Sequence, residues 1–293
     1  MTPPPAPVDE IRLPCVVTFN ANDPSGSGGL AADLLSLASA SAHALPICTA
    51  LLMRDTRSVH DHISVDDEHV AEQARLVLED VKVDAFKVGF CGSPAVLASI
   101  ANILSDYPDT PVVAYMGDLS WMSEDEIENY LDAFAELILP LTGVLCGNYA
   151  TLQRWLLEDW HAETPPTPRD IARRAEQAGA SYTLVTSVPS GLPTHQECVL
   201  VSPETQITAV RYERFEGTFT GAGETLSAML TGLIAAGVDL QTAANEAIDY
   251  VDQALNAGFE PGMGHTIPHR LFWAETADDH EPEDGDSSEK VIQ

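Results

Sequence analysis

The chain reads as an α/β protein, a three-layer α/β/α sandwich around a mainly parallel sheet. Two observations predict it. Short apolar, β-rich runs alternate with longer helical patterns, the mark of βα units stacked on one sheet. Glycine-rich turns sit at strand-to-helix junctions near the beginning and near the end of this series. No internal repeat of fixed period is present, which excludes a solenoid.

Taken in order, the apolar runs predict strands at Cys15–Phe19, Cys48–Leu52, Ala85–Val88, Val112–Tyr115, Gly143–Cys146, Tyr182–Thr186, Cys198–Val201 and Ile207–Val210. Helical spacing predicts helices at Gly29–His43, Asp67–Asp80, Ala95–Tyr107, Glu124–Ile138, Pro168–Ala178, Gly223–Ala236 and Thr242–Gly258. The last two carry glycine stop signals, Gly237 and Gly258. A single domain is expected over residues 13–274. Residues 1–12 are proline-rich and residues 275–293 acidic, and both compositions predict disorder, because they bury too little apolar area to offset the entropy of ordering.

The 293 residues carry 14 Lys+Arg against 45 Asp+Glu, a net charge of −31. Such a chain repels the phosphate backbone and anionic lipid, so nucleic acid and membrane are excluded as partners. The acidity itself speaks of solubility and habitat rather than mechanism. The five scattered cysteines fall mostly within apolar runs, as small buried hydrophobes in a reducing compartment do. With no apolar run near 18 residues and no basic-then-apolar leader, a cytoplasmic protein is expected.

In an open parallel sheet, ligands bind beyond the carboxyl ends of the strands. Asn22-Asp23-Pro24-Ser25-Gly26-Ser27-Gly28-Gly29 follows the first strand and opens the helix that carries Asp33. Its glycines allow close backbone approach to a ligand, although the same residues suit an ordinary tight βα turn. Gly217-Thr218-Phe219-Thr220-Gly221-Ala222-Gly223-Glu224-Thr225 precedes an apolar helix. Small residues at 221 to 223 expose successive N–H groups where a phosphoryl group would fit. Glu224 stands where a carboxylate accepts a proton from an attacking hydroxyl, or where it merely complements the helix start. His60 and His62 flank Asp61 in a polar stretch read as a loop, without a third metal ligand.

In order, these residues resemble the hydroxymethylpyrimidine/phosphomethylpyrimidine kinase family of the ribokinase-like superfamily. Asp23-Pro24-Ser25-Gly26-Ser27-Gly28-Gly29-Leu30-Ala31-Ala32-Asp33-Leu34 is similar to that family's D-P-S-G-G-A-G-[IL]-Q-A-D-[LI]. Supporting matches are Thr49-Ala50-Leu51 with Thr56, Lys87-Val88-Gly89, Asn148, and Pro261-Gly262-Met263-Gly264 with Ile267-Pro268. The resemblance implies ATP- and Mg2+-dependent phosphorylation of 4-amino-5-hydroxymethyl-2-methylpyrimidine and then of its monophosphate, in thiamine biosynthesis. By position it implies that Ala21, Gly28, Asp33, Arg54 and Phe90 face the pyrimidine. Gly221, Ala222 and Gly223 would form the anion hole, Glu224 would be the base, and Asn148 and Thr186 would meet the nucleotide. It leaves the metal ligands unassigned and leaves room for a homodimer.

Several positions depart from the family. Arg54 replaces a glutamine that pairs a donor and an acceptor with the aminopyrimidine, whereas arginine only donates. Tyr115 replaces a strand-end aspartate expected near phosphate and Mg2+, Thr151 replaces a glutamate, and Glu224 replaces a cysteine. Gly221-Ala222-Gly223-Glu224 is similar to the G-A-G-D of the wider superfamily, with one added methylene. A catalytically degenerate or substrate-shifted binding protein is the alternative that these changes suggest.

Overall fold

The structure is a computed structural model and describes residues 12–274; the two terminal segments expected to be disordered fall outside them, except for Arg12. Nine strands form one sheet: β1 (Cys15–Asn22), β2 (His43–Arg54), β3 (Val59–Ser64), β4 (Ala85–Val88), β5 (Val112–Met116), β6 (Val144–Asn148), β7 (Tyr182–Pro189), β8 (His195–Val201) and β9 (Gln206–Glu213). Their order is β3-β2-β1-β4-β5-β6-β7-β8-β9. The six from β2 to β7 across the middle run parallel, while β3, β8 and β9 join antiparallel at the edges. This is the three-layer architecture expected.

Helices cover both faces. α1 (Gly29–Ser39), α7 (Ala222–Ala235) and α8 (Leu240–Asn256) pack on one face; α2 (Asp67–Asp80), α3 (Pro94–Ser105), α4 (Glu124–Leu137), α5 (Tyr149–Leu156) and α6 (Pro168–Gln177) pack on the other. Central strands are therefore buried on both sides and read as continuous apolar runs. In β1, Val16 points into the core under α1 and Val17 into the opposite core, both fully buried.

Two elements differ from the expectation. The stretch read as a polar loop is the edge strand β3, whose outward residues are polar because an edge faces water. α5 was not expected. It spans only eight residues, and its N-cap is Asn148, whose side chain accepts from the Thr151 N–H. Among the described residues, no helix is long and apolar enough to cross a membrane. The five cysteines are all free, four of them buried, as their apolar settings implied.

The chain leaves β1 for β2 on one side and returns to β4 on the other side of β1. That reversal opens a crevice above the carboxyl ends of β1 and β4, the place where such sheets bind ligands.

Candidate active site

Both glycine-rich turns stand over this crevice and touch. Gly221, the N-cap of α7, has φ 88°, and a Cβ there would collide with the Ser27 carbonyl. Arg270, 3% exposed, clamps the pair: Nη1 donates to Gly26 O at 3.2 Å, Nη2 to Ser27 O at 2.5 Å, and Nε to Thr225 Oγ1 at 2.9 Å. This buried cation satisfies two loop carbonyls that would otherwise lack partners. Sequence reasoning missed it, since nothing local marks an arginine after Pro268-His269 as internal.

Glu224 crosses between the turns. Its Oε1 accepts from the Gly29 N–H at 2.9 Å, supplying the cap that Gly28, the N-cap of α1, cannot provide from its own side chain. A Cβ on Gly28 would strike this carboxylate, so position 28 is small for the sake of Glu224. Burial raises the Glu224 pKa above the ordinary carboxylate value, against the pull of Lys87 and the Gly29 N–H; Asp33 and Asp23 push it further up.

Asp33, expected to face the pyrimidine, is fully buried beneath the crevice. Its Oδ1 lies 2.7 Å from Lys87 Nζ, and Oδ2 accepts from Thr18 Oγ1 at 2.5 Å and Asn20 Nδ2 at 2.9 Å. Here the carboxylate ties β1, α1 and β4 together, and Lys87, itself fully buried, pairs with it beneath the crevice. The Lys87 ammonium also lies 5.9 Å from the centroid of the Tyr115 ring.

A first cavity of about 220 Å3 is lined by Ala21, Arg54, Phe90, Tyr115 and Glu224 among others. Phe90 belongs to an aromatic wall, with ring centroids 5.4 Å from Trp121, 5.3 Å from Tyr130 and 5.3 Å from His62. His62 is thus a wall residue, its Nε2 3.0 Å from Gly92 O. Among the described residues, no group of three or more His, Cys, Asp or Glu side chains is placed to hold a metal. Trp121 and Tyr130 escaped the sequence reading because they lie outside any glycine-rich turn, at a loop and a helix that only the fold brings over β4.

A second cavity, about 400 Å3, is lined by Asn148, Thr186, Ser187, Gly223 and apolar residues of α7 and α8. Ser187 has φ 55° at an irregularity in the β7–β8 pairing. The two cavities share Tyr115, Phe219 and Gly221, so they meet at the N-terminus of α7. Tyr115 packs directly under Gly223, where any Cβ would overlap its ring. Its phenol is held protonated, its pKa raised by burial and by the Glu224 charge.

The sheet order, the paired glycine-rich turns and the two cavities meeting at α7 define a ribokinase-like α/β protein. Residues 23–269 match the family model for phosphomethylpyrimidine kinase, and the chain belongs to that family. Relatives include the hydroxymethylpyrimidine/phosphomethylpyrimidine kinases of Streptomyces coelicolor, 25% identical with 88% of this chain and 95% of that protein covered. The Escherichia coli kinase of the same name is 26% identical, with 86% and 94% covered. The thiamine biosynthetic bifunctional enzyme of Arabidopsis thaliana is 26% identical over 84% of this chain, which spans only 47% of that protein. Among solved structures, a Staphylococcus aureus pyridoxal kinase in complex with ADP superposes with a TM-score of 0.77 at 18% identity, covering 89% of this chain and 95% of the other. A Clostridium difficile phosphomethylpyrimidine kinase gives 0.66 at 20% identity, covering 83% and 99%. At these identities the superpositions speak for the fold.

Proposed function

We propose that this protein is an ATP-dependent kinase that phosphorylates the hydroxymethyl group of 4-amino-5-hydroxymethyl-2-methylpyrimidine and then the resulting monophosphate. The observation that carries the reading is the meeting of two cavities at the start of α7, with Glu224 in the first and Gly223 in the second. The names of the family and of its relatives supply the substrate and the thiamine pathway. The free cysteines support a reducing, cytoplasmic setting.

In this reading the heterocycle lies in the first cavity against Phe90 and the backbone of Ala21, and ATP lies in the second near Asn148 and Thr186. Glu224 accepts the hydroxyl proton as the oxygen attacks the γ-phosphorus and the bond to the ADP oxygen breaks. The N–H groups of Gly221, Ala222 and Gly223, at the positive end of α7, stabilise the phosphoryl oxygens during transfer. The raised pKa makes Glu224 a stronger base than an exposed glutamate. Buried Lys87 and the Gly29 N–H keep it from rising further. Among the described residues the cavities gather no carboxylate cluster for Mg2+: Tyr115 stands where the aspartate was expected, Asp118 is paired with Arg154 at 3.0 Å, and Glu224 and Asp252 line different cavities.

The test is ATP turnover measured with hydroxymethylpyrimidine, its monophosphate, pyridoxal and a panel of sugars. Turnover with the first two and not with the sugars is expected. Silence with every alcohol would overturn the kinase reading.

A further inference from the structure

A phosphoryl group passing from the second cavity to the first has to cross the seam where they meet, and Tyr115, Phe219 and Gly221 line both cavities. Phe219 is apolar and Gly221 has no side chain. Among the described residues, Tyr115 is therefore the one that brings a polar side chain to the seam.

The fold fixes where that side chain ends. Tyr115 stands at the carboxyl end of β5, next to the last residue of the strand, and its ring packs against the apolar core beneath α7 and α8. A Cβ on Gly223 would lie 2.5 Å from the Tyr115 Oη, so the phenol oxygen abuts the first turn of α7. The backbone N–H groups of that turn have no partners within the helix, and the phenol O–H joins them at the same helix start. Among the described residues, the Tyr115 hydroxyl makes no hydrogen bond to the protein.

The nearby cations are engaged elsewhere. Lys87 is fully buried against Asp33, and Arg270 holds the carbonyls of Gly26 and Ser27; neither lines a cavity. Thr220 lines the first cavity alone, and its hydroxyl lies 3.0 Å from His265 Nδ1. Negative charge arriving at the seam therefore meets the N–H groups of α7 and one phenol.

We infer that Tyr115 is a further catalytic residue, whose hydroxyl donates a hydrogen bond to an oxygen of the phosphoryl group as it passes between the cavities. A donor already in place where charge develops lowers the barrier without having to reorganise, and an anionic acceptor strengthens the bond. Tyr115 exchanges no proton. The substrate proton goes to Glu224, the bond from the hydroxymethyl oxygen to phosphorus forms, and the bond from phosphorus to the ADP oxygen breaks. The titratable groups around the phenol are Glu224 on α7, Lys87 on β4, Cys146 on β6 and Asp118 after β5, and burial with the Glu224 charge keeps the O–H protonated. This inference rests on the kinase reading and adds one donor to it.

The experiment is Tyr115→Phe, which removes the hydroxyl and leaves the ring under Gly223 and beside Lys87. Turnover of ATP with 4-amino-5-hydroxymethyl-2-methylpyrimidine is followed across pH, with melting curves in parallel. Calorimetry compares ADP alone with ADP plus aluminium fluoride, a mimic of the transferring group, in the presence of the pyrimidine. In Tyr115→Phe, kcat is expected to fall roughly 10²-fold while both KM values stay within about threefold of wild type. The mimic should bind more weakly by a similar factor, with ADP alone and Tm nearly unchanged. The rise of activity with pH assigned to Glu224 should persist. Tyr115→Leu, which also removes the ring, should lower Tm as well. A kcat for Tyr115→Phe within about twofold of wild type would overturn the inference and leave the kinase reading standing. So would a loss that ADP alone shares, or disappearance of the pH limb, which would make Tyr115 a base. A wild-type chain that turns over no alcohol would overturn both readings.

Discussion

Replacing Glu224 by glutamine separates chemistry from stability. The amide can still accept the Gly29 N–H, so what is lost is the negative charge at the start of α1 and the capacity to take a proton. A charge at a helix N-terminus contributes about 0.3–1 kcal/mol, up to ~2 when partly buried. Desolvation opposes it and is the leading cause of the raised Glu224 pKa. The net stability change should therefore stay within ~1 kcal/mol at neutral pH. General-base assistance is worth roughly 10²–10⁴ in rate, or about 3–5 kcal/mol of barrier, so the kinetic effect must exceed the structural one. The assay is the pH profile of kcat with melting curves in parallel. Wild-type activity should rise with pH through an apparent pKa above that of an ordinary glutamate, and Glu224→Gln should lose 10²–10⁴-fold together with that limb. The sign for stability is the opposite of the usual carboxylate. Because the folded pKa lies above the unfolded one, folding takes up a proton between them, and the penalty of burying the charge appears as pH rises from the ordinary value of 4.5 through the raised one. Glu224→Gln should thus gain stability relative to wild type over that window and show no such gain below it. Equal kcat in the two proteins would refute the base assignment and leave Glu224 as a helix cap.

Four further substitutions test the framework. Gly221→Ala combines a strained φ with a collision against the Ser27 carbonyl and should cost about 3 kcal/mol or more by urea unfolding. Gly28→Ala meets only the Glu224 side chain, so it should fold with a nearly unchanged Tm while kcat falls at least tenfold; equal Tm losses in the two alanine variants would contradict the contrast. Lys87→Met leaves Asp33 buried without its counter-ion and should cost about 3–5 kcal/mol, of which the double change with Asp33→Leu recovers most; no recovery in the double-mutant cycle would show that the pair is not the unit. Arg270→Leu strips partners from two loop carbonyls and should lower stability by ~2–4 kcal/mol, and a Tm within a degree of wild type would refute the clamp.

The sequence by itself determined the layered architecture, because strands buried on both faces must be apolar throughout and the helices between them must keep a helical period. It also marked Gly221 to Glu224 as candidate site positions, since a helix start built of small residues has a chemical meaning that survives without neighbours, whereas Phe90 came only from the family resemblance. Only the tertiary structure decided which charges meet. Asp33 and Lys87 lie 2.7 Å apart because α1 packs on β1 and the strand order sets β4 beside β1. Arg54 finds Asp23 because β2 is paired with β1, and Arg270 reaches Gly26 and Ser27 from the far end of the chain. The edge strand β3 was illegible for a related reason: with water on one side, its residues lack the apolar run that marks the central strands. Hydrophobic periodicity is a local property repeated along an element, whereas a buried ion pair is a single contact between distant residues, and its partners are set by topology rather than by spacing in the sequence.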